Sequence, residues 1–168
     1  MIETLRLIIL PLNYSQLIKY LSCDGSLEEE LKLNRSQGSI SPDLSDALTL
    51  NILPAMEAPG TNDLYYTLWT IIDKRKKIMV GDLCFMGPPT PEGEIVLGYG
   101  TYENYRNQGY MFEAIGAITN WALSQEAITT VLAETEPANS ASWHLLQKNG
   151  FKKVETPGEF LLWRYDKN

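Results

Sequence analysis

Residues 105–114 read Tyr-Arg-Asn-Gln-Gly-Tyr-Met-Phe-Glu-Ala, a strand end feeding a loop that opens a helix. Successive unpaired amides at a helix N-terminus, reinforced by the helix dipole, can hold a phosphate, and a glycine there lets the backbone come close. A bare Arg-x-x-Gly loop is more often only a helix cap. Neither a Gly-x-x-x-x-Gly-Lys-Ser/Thr loop nor a Gly-x-Gly-x-x-Gly loop occurs, so nucleotide folds built on those motifs lose ground. Few other residues could do chemistry. Glu134 and Glu136 alternate along a strand and share a face, and by themselves read as solvated strand-end carboxylates that at most attract a cation. Asn139 and Ser142 stand one helical turn apart, and the bland reading makes Asn139 an N-cap and Ser142 merely exposed. A lone helical histidine, His144, is more often structural or exposed than catalytic, and with Cys23 and Cys84 it is too little for a metal site.

The elements that must position these residues follow from periodicity and punctuation. Leu5–Leu10, closed by Pro11, reads as an opening strand. Helical spacing runs from Tyr14 to Leu21 and from Ser26 to Leu33, with Glu28, Glu29 and Glu30 complementing the dipole of the second helix. Ser41-Pro42 starts another helix that runs toward Pro54, and Pro59-Gly60 breaks the chain. The period then changes. Leu64–Ile72 and Ile78–Phe85, rich in aromatic and β-branched residues, flank the charged turn Asp73–Lys77 as a hairpin, and Glu94–Tyr102 follows a proline-rich turn as the next strand. A helix over Gly109–Gln125, a strand over Thr130–Thr135, a helix over Ser140–Lys148 and two strands, Phe151–Glu155 and Phe160–Tyr165, complete an α+β order.

The 168 residues carry 14 Lys+Arg against 21 Asp+Glu, a net charge of −7, with 44% hydrophobic and 21% charged residues. That is the length and composition of one globular domain, residues 1–168. The acidic balance argues against nonspecific nucleic-acid binding, which needs cations to neutralise phosphates. The basic run Lys74–Lys77 reads as a solvated turn between apolar segments. No uninterrupted apolar stretch approaches the ~18 residues of a membrane span, and two cysteines in unlike settings suggest a reduced, cytoplasmic protein. Phe160–Trp163, apolar on both faces, is either a buried strand or a homodimer contact.

Four ordered segments together resemble the GNAT acetyltransferase superfamily, in the branch that includes the ribosomal-protein N-terminal acetyltransferases. Arg106, Asn107, Gln108, Gly109, Tyr110 and, imperfectly, Met111 are similar to that family's pyrophosphate loop, Gln/Arg-x-x-Gly-x-Gly/Ala. Gly98-Tyr99-Gly100 resembles its fourth strand, Asn139-Ser140-Ala141-Ser142 with Gly150-Phe151 its later signature, and Thr4–Ile8 its first strand. The resemblance implies a mixed, mostly antiparallel twisted sheet of about seven strands flanked by helices and splayed between the fourth and fifth strands. It also implies acetyl-CoA as cosubstrate and no metal. The pantetheine arm would pair with the strand edge at Gly100, Thr101 and Tyr102, the 106–111 amides would hold the pyrophosphate, and Asn139 and Ser142 would face the pantetheine.

The implied reaction is direct acetyl transfer to a primary amine, either a protein N-terminus or a cationic small molecule, with no nucleic acid or membrane as partner. Glu134 resembles the position of a base, and Ser142 or a water would protonate the leaving thiolate. The family's usual tyrosine acid has no match, because the corresponding stretch reads Leu145-Leu146-Gln147. That gap, with Met111 in place of a small residue, motivates the rival reading of a noncatalytic acyl-CoA-binding or regulatory module.

Overall fold

A computed structural model describes residues 1–36, 40–155 and 158–167. Eight strands form one sheet: β1 (Ile2–Glu3), β2 (Leu7–Pro11), β3 (Leu68–Asp73), β4 (Ile78–Phe85), β5 (Glu94–Thr101), β6 (Thr130–Thr135), β7 (Lys152–Val154) and β8 (Leu161–Asp166). Their order is β1-β2-β3-β4-β5-β6-β8-β7, and among the described residues only β5 and β6 pair in parallel. Before β3 come α1 (Tyr14–Ser22), α2 (Ser26–Glu30), α3 (Pro42–Ala47) and α4 (Leu53–Glu57); α5 (Tyr110–Ser124) links β5 to β6, and α6 (Ser140–Lys148) precedes β7.

Apolar residues on both faces of β3 and β4 predict helices above and below, and two core clusters confirm this. One gathers Ile9, Trp69, Val80, Leu83, Phe85, Ile95 and Leu97 against Ile115 and Ile118 of α5. The other gathers Leu17, Tyr20, Leu27 and Leu53 of α1, α2 and α4, with Leu48 between α3 and α4, against Leu68, Ile72 and Met79. Strand alternation therefore assigns the positions around the site. Ile95, Leu97 and Tyr99 of β5 face α5, whereas Val96, Gly98 and Gly100 face the side covered by α1–α4.

Several boundaries depart from the periodicity, each for a local reason. The opening run is two strands, making eight where about seven are expected. Thr4 bonds back to Leu7 through its amide (3.0 Å to the carbonyl) and accepts at its Oγ1 from the Leu7 amide (2.9 Å), throwing Leu5 out to 94% exposure. α2 stops at Glu30, earlier than Leu33, because Lys32 turns left-handed (φ 56°) and the Leu33 amide reaches back to the Glu28 carbonyl at 2.8 Å. The third helical segment does not end at Pro54. Leu48–Ile52 widens into a π turn, and Pro54 falls in the first turn of α4, where a missing N–H costs little. Leu64 begins no strand: a 3₁₀ turn over Asp63–Tyr65, capped by Asn62, delays β3 to Leu68. β6 and α6 fall at the positions their patterns predict, and β8 lies between β6 and β7, with Trp163 buried.

Candidate active site

β5 and β6 are neighbours for only three residues, Glu94–Val96 beside Thr130–Leu132. Beyond these, β5 stays with β4 through Leu97–Thr101, and β6 stays with β8 through Ala133–Thr135. The strands diverge, and among the described residues the edge of β5 from Leu97 to Thr101 has no strand on its β6 side. The opening is a cleft of about 930 Å³, bounded by Tyr99–Thr101, residues 105–109, the first turn of α5, and Asn139, Ser142, His144 and Lys148 of the α6 segment. That volume suits a ligand of cofactor size.

The loop at the mouth has the backbone of an anion nest. Asn107 and Gly109 take left-handed conformations (φ 58° and 74°), and Gly109 caps α5 without any side-chain bond to its amides. The amides of Tyr110, Met111 and Phe112, in the first helical turn, have no intrahelical acceptor and border the cleft. The side chain of Met111 points away into the core, 5% exposed among Ala114 and Ile115. It therefore does not narrow the loop as its size suggested.

A second set of residues holds this loop from behind, and the sequence patterns gave no sign of it. Arg6 Nη1 donates to the Gln108 carbonyl at 3.1 Å while its Nε pairs with Glu113 Oε2 at 2.6 Å. Lys76, from the supposedly solvated hairpin turn, donates to Tyr110 Oη at 3.0 Å and to Gln108 Oε1 at 3.3 Å. Tyr110 in turn donates to buried Asp73 Oδ2 at 2.7 Å. Burial alone would raise the Asp73 pKa, yet the Lys76 amide, the Tyr110 hydroxyl and the Arg75 amide donating to it hold it below the usual value. Glu113 is likewise held low against its burial by Thr4 and Arg6. An exposed ion pair alone contributes little, but fixed geometry is what a backbone anion site requires.

Across the cleft, Asn139 caps α6, its Oδ1 accepting the Ser142 amide at 3.1 Å. The capping reading is thus what the structure shows, and Asn139 also borders the cleft. Ser142 Oγ lies 2.6 Å from Tyr99 Oη, a hydroxyl pair bridging β5 to α6 where the sheet opens. Burial raises the Tyr99 pKa, and the Ser142 contact partly opposes it. Tyr99 went unnoticed as a site residue because its ring direction is not encoded in spacing. His144 stacks on Trp143 at 3.8 Å between centroids and uses Nδ1 on the Ser140 carbonyl at 2.8 Å.

The structure does not bring every expected residue together. Gly100, Thr101, Arg106, Asn107, Gln108, Gly109, Tyr110, Met111, Asn139 and Ser142 border one cleft. Tyr102 lies just beyond it, turned toward the α1–α4 side. Glu134 is exposed, alternating with buried Ala133 and Thr135, so it faces away from α5 and does not border the cleft.

The residues present suit a ligand with a diphosphate and an extended amide-bearing arm. An anion nest meets a free strand edge, a Cβ at Gly100 would find open space, and Arg106 and Lys148 offset the acidic protein locally. The GNAT acetyltransferase domain family matches residues 23–152, and the chain belongs to that family. Among its relatives, the uncharacterized N-acetyltransferase YjdG of Bacillus subtilis (strain 168) is 35% identical over 97 residues; the match spans 58% of either chain. The fold is also that of a RimL ribosomal L7/L12 α-N-protein acetyltransferase solved in complex with coenzyme A. That similarity has a TM-score of 0.66 at 15% identity, over 97% of this chain and 95% of that one. An acetyltransferase of Salmonella typhimurium that modifies the N-terminal serine of 50S ribosomal protein L7/L12 is equally similar, with a TM-score of 0.66 at 16% identity over 98% and 97%. The sheet is therefore a GNAT sheet, open between β5 and β6.

Proposed function

We propose that this protein is an acetyl-CoA-dependent N-acetyltransferase that moves the acetyl group directly to a primary amine. The observation that carries the proposal is the divergence of β5 and β6 with the 106–111 nest at its mouth. In this reading the amides of Arg106–Met111 hold the pyrophosphate, and the edge at Gly100, Thr101 and Tyr102 pairs with the pantetheine amides as an added strand. Acetyl-CoA, when bound, would supply the thioester. Asn139 fixes the start of α6, so that Ser142 is presented to the cleft with Tyr99 against it. These two hydroxyls stand in for the tyrosine that α6 lacks, donating toward sulfur as negative charge builds there.

The acceptor enters from the α1–α4 side, since the opposite side of the opening is closed by α5 and α6. A protein α-amine is favoured by the neighbours that act on ribosomal-protein N-termini, and it deprotonates more readily than a lysine amine (pKa near 8 against about 10.4). A cationic small molecule suits the −7 charge. Glu134 stands exposed on this side, and we propose it as the carboxylate that draws the acceptor in or accepts its proton. A cytoplasmic setting fits both acceptors, and no helix among the described residues is long and apolar enough to cross a membrane.

The test is release of free thiol from acetyl-CoA against a panel of peptides with free N-termini and of linear polyamines. Release with at least one acceptor is the expected result. Binding of coenzyme A with no release would instead mark a noncatalytic binding module. Glu134→Gln should lower kcat/KM with unchanged acetyl-CoA affinity; an unchanged rate removes Glu134 as the base.

A further inference from the structure

On the α1–α4 side of the sheet, beside the proposed thioester position, lies a charged group with no structural justification. Asp82 of β4 is 4% exposed, its Oδ2 accepts from Tyr20 Oη of α1 at 2.7 Å, and its Oδ1 has no hydrogen-bond partner. Across β3, the buried Thr70 hydroxyl at the paired position is also without a partner. A carboxyl here is costly, and an apolar residue of similar volume would serve packing at least as well.

Its position relates it to the reaction. Asp82 is the register partner of Gly100, so the two stand side by side on one face of the sheet. Gly100 borders the cleft and leaves open space where a Cβ would project. Tyr102, two residues on, donates from Oη to Tyr20 Oη at 3.4 Å. The hydroxyls thus form a directed chain, Tyr102 to Tyr20 to Asp82, that starts on the residue following the cleft-lining Gly100 and Thr101 and ends on the buried carboxylate. A cavity of about 60 Å³ between α1 and α2, lined by both tyrosines with Lys19 and Glu28, has room for water near the phenols.

We propose that Tyr102, Tyr20 and Asp82 form a proton relay that deprotonates the incoming ammonium of the acceptor, leaving Glu134 the role of drawing that cation in. The inference rests on the acetyltransfer reading. The ammonium gives one proton to Tyr102 Oη, whose own proton passes to Tyr20 and that of Tyr20 to Asp82, leaving a neutral amine and a protonated carboxyl. The amine lone pair then forms the N–C bond as the C–S bond breaks, sulfur leaving with the electron pair and taking the second amine proton. Asp82 returns its proton to water through the phenols. Burial lifts the Asp82 carboxyl to about 6, outweighing the hydrogen bond from the Tyr20 hydroxyl, so it is ionised yet basic at neutral pH. Cys84 on the same strand carries no charge there, since its burial and Asp82 lift its thiol to about 11. Burial likewise raises both tyrosines well above 10, so they pass protons as neutral phenols. Asp82 acts through the tyrosines and is a positioning residue for the proton rather than a group touching substrate.

The experiment compares the full-length wild type with Asp82→Asn, Tyr102→Phe and Glu134→Gln. It measures kcat/KM from pH 5.5 to 9 by thiol release, acetyl-CoA affinity by calorimetry, and thermal midpoint against pH. The wild type should show an acidic limb near pH 6. Asp82→Asn and Tyr102→Phe should fall ten- to a hundredfold at pH 7, lose that limb, and approach the wild type as pH passes the amine's own pKa of about 8. Their acetyl-CoA affinity should stay within twofold, and Asp82→Asn alone should flatten the midpoint between pH 4 and 6. Thiol release by the wild type with superimposable profiles in these two variants overturns the relay and leaves acetyltransfer standing. No release from the wild type with any acceptor overturns the acetyltransfer reading and the relay together.

Discussion

The two sides of the opened sheet are built on different principles. On the side proposed for the cofactor, the groups available for recognition belong to the backbone: left-handed turns at 107 and 109, free amides at the start of α5, and a free strand edge. Side chains such as Arg6, Lys76 and Asp73 support that backbone from behind. On the side proposed for the acceptor, four short helices interrupted by a π turn cover a buried carboxylate and two phenols. Backbone recognition suits a ligand whose phosphates and amides are the same in every turnover. Side chains on irregular helices suit a partner that varies between members of one fold.

If the contrast holds, filling the open space over Gly100, beside the free edge, should have the largest effect. Gly100→Val puts a branched side chain where no atom lies within 4 Å, in a strand conformation that valine favours. Turnover should fall at least a hundredfold while the thermal midpoint stays within about 2 °C, measured by thiol release and calorimetry; a lost fold would show that the space is structural.

Next comes the pH dependence of stability. The folded Asp82 pKa of about 6 lies above the ordinary aspartate value of 3.8, so the folded state holds this proton more tightly than the unfolded state. The cost of ionising it is absent below pH 3.8, grows between 3.8 and 6, and is fully present above, about 3 kcal/mol at most. Asp82→Asn keeps an acceptor for Tyr20 and offers a donor toward Thr70. It should raise stability at pH 8 by about 2–3 kcal/mol in urea titrations and leave it unchanged near pH 3.5. A variant that is less stable at pH 8 would show that the carboxylate is structurally required.

Gly109→Ala should act more mildly, through the left-handed conformation and the approach of Arg6 Nη2 to 3.3 Å from the added carbon. About 1–2 kcal/mol of strain corresponds to roughly a tenfold loss of coenzyme A affinity if the loop relaxes out of its nest. The smallest effect belongs to Asn139→Ala, which removes the α6 cap and should cost about 1 kcal/mol of stability.

The same contrast explains what the sequence made legible. Gly109, the Asn-x-x-Ser segment and the strand-helix-strand order are signals of local backbone geometry, and the cleft residues Gly100 to Ser142 come together as their spacing suggests. The eighth strand escaped because Thr4–Leu7 bonding breaks the opening run, and the helix through Pro54 because a π turn absorbs the proline. Tyr99, Asp82 and Lys76 escaped for another reason. Their partners lie 43, 62 and 34 residues away, and only the folded sheet sets which ring meets which carboxylate. Glu134 shows the converse, a residue at a suggestive spacing that the strand's alternation turns away from the cleft.

In the proposed reading, acetyl-CoA binds in the opening between β5 and β6 through backbone groups. Calorimetric titration of acetyl-CoA into the wild type and Gly109→Val tests it most directly. Saturable binding at micromolar concentration, weakened at least tenfold in the variant while both remain folded, is the predicted result. No binding at millimolar acetyl-CoA, or equal affinity in a folded Gly109→Val, would contradict it.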